Sequence, residues 1–138
     1  MIEALAQVKD LPLVLVVAGK DDSAPYQSRI RELGLEGKVK FCPSRADVQW
    51  YYGAADVYVG PSLEDTFAQP PAEAMACGLP VITTTTNGTA EIMTDGVDGL
   101  ILQDPNDVAG LAERIRWLYE HPERRESIAA KAAVTAGE

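Results

Sequence analysis

The chain has 138 residues, of which 46% are hydrophobic and 24% charged, with a formal net charge of −9. That length fits one domain, residues 1–138, with a core that needs no staple. An acidic chain without a basic stripe argues against nucleic acid and anionic membrane as partners, since both are held by Lys and Arg; a small anion can still be held by backbone amides at a helix start.

In chain order, a helical start over Ile2–Val8 leads into Leu13-Val14-Leu15-Val16-Val17, a continuous apolar run ending at Gly19. Such a run predicts a strand buried on both faces. A helix follows over Ala24–Leu33, with Tyr26, Ile30 and Leu33 on one side and Gly34 and Gly37 closing it. Val39–Phe41 is the next strand, and Asp47 caps a short helix through Tyr51 and Tyr52. Asp56–Val59 is a strand. Pro70 and Pro71 open a helix that stops at Gly78, following the preference for proline at the start and glycine after the end. Val81–Thr84 is a strand, a short helix spans Thr89–Met93, and Gly99–Leu102 is the last strand. Asp104 or Asn106 caps a long helix reaching Tyr119, and Pro122 starts the final one, with residues from Ala132 to Glu138 expected to fray. Strands alternating with helices predict an α/β domain with a parallel sheet covered on both faces. In such sheets ligands bind at the carboxyl ends of the strands, here after Val17, Phe41, Val59 and Thr84.

The segment after Val59 holds the most chemistry: Pro61-Ser62-Leu63-Glu64-Asp65-Thr66-Phe67-Ala68-Gln69-Pro70-Pro71-Ala72-Glu73. Glu64 and Asp65 stand just before a helix, and Glu73 is expected in its first turn. The turn between them offers backbone amides at Thr66 to Gln69. Amides and the helix dipole suit a phosphate, and carboxylates suit sugar hydroxyls. A plainer reading also fits: an acid in a first helical turn opposes the macrodipole, and Glu64 serves as ordinary surface charge.

The pattern as a whole resembles the signature of the retaining glycosyltransferases of family 4, which have the GT-B fold. Glu73 to Ile82 reads Glu-Ala-Met-Ala-Cys-Gly-Leu-Pro-Val-Ile, and the resemblance extends through Tyr51–Val57, Asn87–Ile92, Asp95–Leu100 and Asp104-Pro105. It implies a Rossmann-like three-layer α/β/α domain, one half of a GT-B fold, that binds a nucleotide-diphosphate sugar and, in the intact protein, moves the sugar to an acceptor hydroxyl. It marks Asp65 and Glu73 as the catalytic pair, with Glu73 on the ribose hydroxyls and Asp65 on the donor sugar. Glu64, Thr66, Phe67, Ala68 and Gln69 would hold sugar and distal phosphate, and Phe41, Cys42, Pro43 and Ser44 would border the base. No metal or cofactor is implied.

The sequence departs from that signature at several positions. Asp65 stands for a Glu, with Glu64 able to replace it if the loop shifts by one residue. Thr66 and Ala68 replace glycines around Phe67, Gln69 replaces Leu, and Pro43 replaces a common glycine. The family's first strand, its Arg and Lys that clamp the diphosphate, the closing helix and the acceptor domain have no counterpart in these residues. The expectation is therefore a domain truncated at both ends, inactive alone, with a slot between two strands that another chain's segment fills or that direct pairing closes, and with self-association through that gap. A non-catalytic nucleotide-binding module and an assembly fragment remain the alternatives, while the absent glycine fingerprint argues against a hydride-transferring protein.

The remaining signals are quieter. Cys42 and Cys77 follow neither metal-ligand nor disulfide spacing, which predicts free thiols in a reducing cytosol. The longest apolar run, Leu11–Ala18, is too short to span a bilayer, and no signal-peptide pattern begins the chain, so a cytoplasmic location is expected, at the membrane face in an intact protein. His121 reads as a helix-joining residue, Trp117, Leu118 and Ile115 as a buried stripe, and Trp50, Tyr51 and Tyr52 as core, with a place near the nucleotide base as the alternative.

Overall fold

The computed structural model describes residues 1–20, 22–65 and 69–138. Its elements run α1 (Ile2–Gln7), β1 (Leu15–Gly19), α2 (Ala24–Glu32), β2 (Val39–Pro43), α3 (Gln49–Ala54), β3 (Tyr58–Val59), α4 (Gln69–Ala76), β4 (Val81–Thr84), a 3-10 turn (Gly88–Ile92), β5 (Leu100–Leu102), α5 (Val108–Glu120) and α6 (Pro122–Gly137). Every paired strand is parallel: β1 with β2, β3 with β4, and β4 with β5. Two sheets result, ordered β1-β2 and β3-β4-β5.

Alternation along the strands builds the layers, because successive side chains point to opposite faces. Ile82, Leu100 and Leu102 join one core with Leu5 of α1 and Val8 just after it, Ile30 of α2, and Leu111 and Leu118 of α5. Val81 and Ile101 join a second core with Ala74 and Met75 of α4 and Ala132 of α6. The three-stranded sheet thus lies between α1 and α5 on one side and α4 and α6 on the other, while α2 packs into the first core. This is the expected Rossmann-like α/β/α arrangement.

Local signals explain most boundaries. Gly78 adopts φ 76°, a left-handed conformation that ends α4 and that a side chain rarely tolerates. Between the 3-10 turn and β5, Asp98 Oδ1 accepts from the Thr94 amide at 2.7 Å and Asp95 Oδ1 from the Ile101 amide at 2.8 Å. The other Asp98 oxygen accepts from Thr135 Oγ1 at 2.8 Å, tying this loop to α6.

Several expectations require correction. β1 starts at Leu15 rather than Leu13 and is not buried on both faces: four of its five residues are exposed, and Val14 and Val16 retain 55% and 48% of their surface. The reason is neighbours. Among the described residues, β1 has β2 on one edge and no strand on the other. β3 is two residues long rather than four. The cap of α5 is neither Asp104 nor Asn106 but Asp107, whose Oδ1 accepts from the Gly110 amide at 2.8 Å. Asp104 instead accepts from the Asn106 amide at 2.8 Å in the preceding turn. Asp47 does not cap α3, whose N-cap is Val48; its carboxylate pairs with Arg45 at 2.7 Å, and that guanidinium lowers its pKa. Trp50 is exposed rather than core. The last residues are helical: α6 continues to Gly137 and buries Ala132 completely.

Candidate functional site

The loop leaving β3 is fastened from below by the end of β4. Thr83 Oγ1 donates to the Gly60 carbonyl at 3.2 Å, and the Thr84 and Thr86 hydroxyls both donate to the Ser62 carbonyl at 2.7 Å. Asn87 Nδ2 adds a bond to Ser62 Oγ at 3.2 Å. Thr83, Thr84 and Asn87 are buried, so these bonds satisfy groups that would be costly to leave unpaired.

That fastening fixes the register of the acids. The Asp65 amide donates to the Thr86 carbonyl at 3.1 Å, and the Gly88 amide donates to the Asp65 carbonyl at 3.0 Å, a parallel bridge to Asn87. Asp65 is half-buried beside the loop after β4, whereas Glu64 is exposed. Both carboxylates, together with Glu91, line an open depression of about 320 Å³ whose floor is Thr85 to Gly88. Among the described residues no group of three or more His, Cys, Asp or Glu is arranged to hold a metal ion.

Glu73 lies further along α4 than expected. The helix starts at Gln69, so its first turn contains no acid and Glu73 falls in the second. The first-turn account of Glu73 as a counter-charge to the dipole therefore loses its geometry, since that effect fades beyond the first turn. Glu73 instead has a specific partner. Its Oε2 accepts from the Tyr52 hydroxyl at 3.0 Å. The Tyr52 ring meets Tyr58 edge-on, with centroids 6.2 Å apart and planes at 65°. Burial and the Glu73 carboxylate push the Tyr52 phenol up; burial, then the charges of Asp65 and Glu73, do the same for Tyr58. Both carboxylates are thus close enough to Tyr58 to act on one phenol.

The base-side candidates stand at the end of β2. Phe41 stacks on Tyr26 with centroids 6.2 Å apart. Cys42 is half-buried with a free thiol, while Pro43 and Ser44 are exposed. The Pro43 carbonyl accepts from the Tyr51 hydroxyl at 3.1 Å. Consecutive tyrosines of α3 therefore reach the end of β2 and the acid of α4. Gln69 is the exposed first residue of α4. Thr66, Phe67 and Ala68 lie outside the described residues. The pairing of Tyr52 with Glu73 was not legible in the sequence, because a pair 21 positions apart leaves no periodic trace.

Residues 1–135 match the family described as glycosyl transferases group 1. The chain belongs to that family. Among curated relatives of this group 1 chain, a D-inositol 3-phosphate glycosyltransferase of Thermomonospora curvata is 35% identical, over 96% of this chain and 32% of its own length. This chain therefore spans about a third of that relative. HepE of Anabaena, solved in complex with UDP, superposes with a TM-score of 0.88 at 30% identity, over 99% of this chain and 39% of the other. The C-terminal domain of a group 1 glycosyl transferase (LpcC) from Francisella tularensis gives a TM-score of 0.90 over 99% of this chain and 75% of that one; at 24% identity the likeness speaks for the fold alone. The domain thus has the Rossmann-like fold of GT-B glycosyltransferase domains.

Proposed function

We propose that this chain is the donor-binding half of a retaining glycosyltransferase of the family 4 type, inactive without its acceptor-binding half. Glu73 accepts hydrogen bonds from the ribose hydroxyls of a nucleotide-diphosphate sugar, and Asp65 from hydroxyls of the donor sugar. Glu64, Gln69 and the turn Thr66–Ala68 border the sugar and distal phosphate, and Phe41, Cys42, Pro43 and Ser44 border the base. In the intact enzyme the bond from the anomeric carbon to the diphosphate breaks, and a bond to the acceptor oxygen forms with retention. The acceptor proton leaves with the diphosphate, whose charge balances the positive charge developing on the sugar ring. The protein contributes positioning and electrostatics, with no metal required.

The observation that carries this reading is the held pair: Asp65 pinned by the Asn87 bridge and Glu73 bound to Tyr52, both beside Tyr58. The UDP bound by HepE supports the ligand class. The free edges of β1 and β3 suit one further parallel strand. We assign it to the part of a longer transferase that precedes these residues; where that part is absent, two copies of the chain associate through the same edges. No helix among the described residues is long and apolar enough to cross a membrane, and a cytoplasmic location fits a nucleotide-sugar donor.

Titration with UDP, GDP and ADP, followed by ligand-observed NMR, tests the reading. One nucleotide is expected to bind, and Glu73→Ala is expected to weaken it roughly tenfold or more, the loss of hydrogen bonds to a charged group. Absence of binding by all three to the folded chain would instead favour an assembly fragment.

A further inference from the structure

Glu73 is exposed on α4. An exposed Glu side chain moves among many rotamers, and fixing it on a ligand costs rotamer entropy. Here that freedom is already reduced. Tyr52 Oη holds Oε2 at 3.0 Å, and among the described residues Oε1 has no protein partner. Tyr52 is itself immobilised, since its ring packs against the core of Ala74, Met75 and Val81 and meets Tyr58 edge-on. The preceding residue, Tyr51, donates to the Pro43 carbonyl at 3.1 Å. One short helix thus grips the acid on α4 and the end of β2, in the other sheet.

We propose that Tyr52 is a positioning residue for Glu73: it holds one carboxylate oxygen so that the other meets the vicinal hydroxyls of a bound ribose, with α3 setting the distance to the base-side end of β2. This rests on the donor-site reading above and adds to it a reason for the carboxylate's orientation. Preorganisation of this kind raises affinity only for ligands that carry the hydroxyls. A merely structural tyrosine would affect all ligands alike.

The test uses the whole chain, Tyr52→Phe and Glu73→Ala, each titrated with UDP, GDP and ADP and with their 2′,3′-dideoxy counterparts. For the nucleotide that binds, the unaltered chain prefers the ribose form by roughly tenfold. Glu73→Ala abolishes that preference. Tyr52→Phe reduces it to a few-fold while leaving the dideoxy affinity unchanged. Equal weakening of both forms by Tyr52→Phe, or an intact preference, would overturn the proposal. Binding of no nucleotide by the unaltered chain would overturn the donor-site reading and this proposal with it. A second measurement needs no ligand: in ultraviolet titration of the tyrosines, with Tyr58→Phe present throughout to remove the other phenol that Glu73 acts on, Glu73→Gln lets the Tyr52 phenol ionise at lower pH than in the chain that keeps Glu73. An unchanged titration curve would show that the bond is not made in solution, and would sink the proposal even if nucleotides bind.

Discussion

The two sheets carry similar residues and have different fates. β4 is a run of Val, Ile and two Thr, and all four are buried. β1 is a run of Leu, two Val, Ala and Gly, and four of the five are exposed. β4 has a strand on each edge and helices over both faces. Among the described residues β1 pairs with β2 alone, and the face carrying Val14 and Val16 is open. Apolar content therefore encodes the surroundings a strand is suited to, while burial depends on which neighbours are present. The site follows the same division. Its two acids belong to the well-packed β3-β4-β5 side, and the residues proposed to border the base belong to the sparsely covered β1-β2 pair, joined to the acids by α3.

Substitutions sharpen this contrast. The largest effect is expected at Ile82→Ala, which empties a fully buried position on β4 and should cost about 2–5 kcal/mol in denaturant unfolding. A cost below that of ordinary surface changes would mean that the three-stranded sheet is no better packed than the other. Next is Asp107→Ala, which removes the cap of α5, a helix that covers the same sheet, and should cost about 1 kcal/mol. The smallest is Val16→Thr on the exposed face of β1, expected to stay within about 0.5 kcal/mol. A large loss there would show that β1 is covered in solution, for instance by a second copy of the chain.

Much of this architecture was legible in the sequence, for identifiable reasons. The helix and strand order follows from apolar periodicity, and the end of α4 follows from Gly78, whose left-handed backbone is a local property. The α5 cap was misplaced because Asp104, Asn106 and Asp107 all qualify by residue type; competition between a turn and a cap decides among them. β1 burial and the exposure of Trp50 depend on contacts across the fold. In the site, the acids stood out through their position after a strand. The alignment of Asp65 with Asn87, and of Tyr52 with Glu73, is set by tertiary packing that a linear pattern does not carry.

The central claim is that the held acids and the end of β2 form one nucleotide site. The most direct measurement is a backbone amide NMR titration with UDP, GDP and ADP, read residue by residue. The account predicts that one nucleotide shifts the amides of Asp65, Glu73 and Tyr52 together with those of Cys42 and Ser44, with a common affinity. Shifts confined to another part of the surface, or two groups of shifts with different affinities, would contradict a single site built across the two sheets.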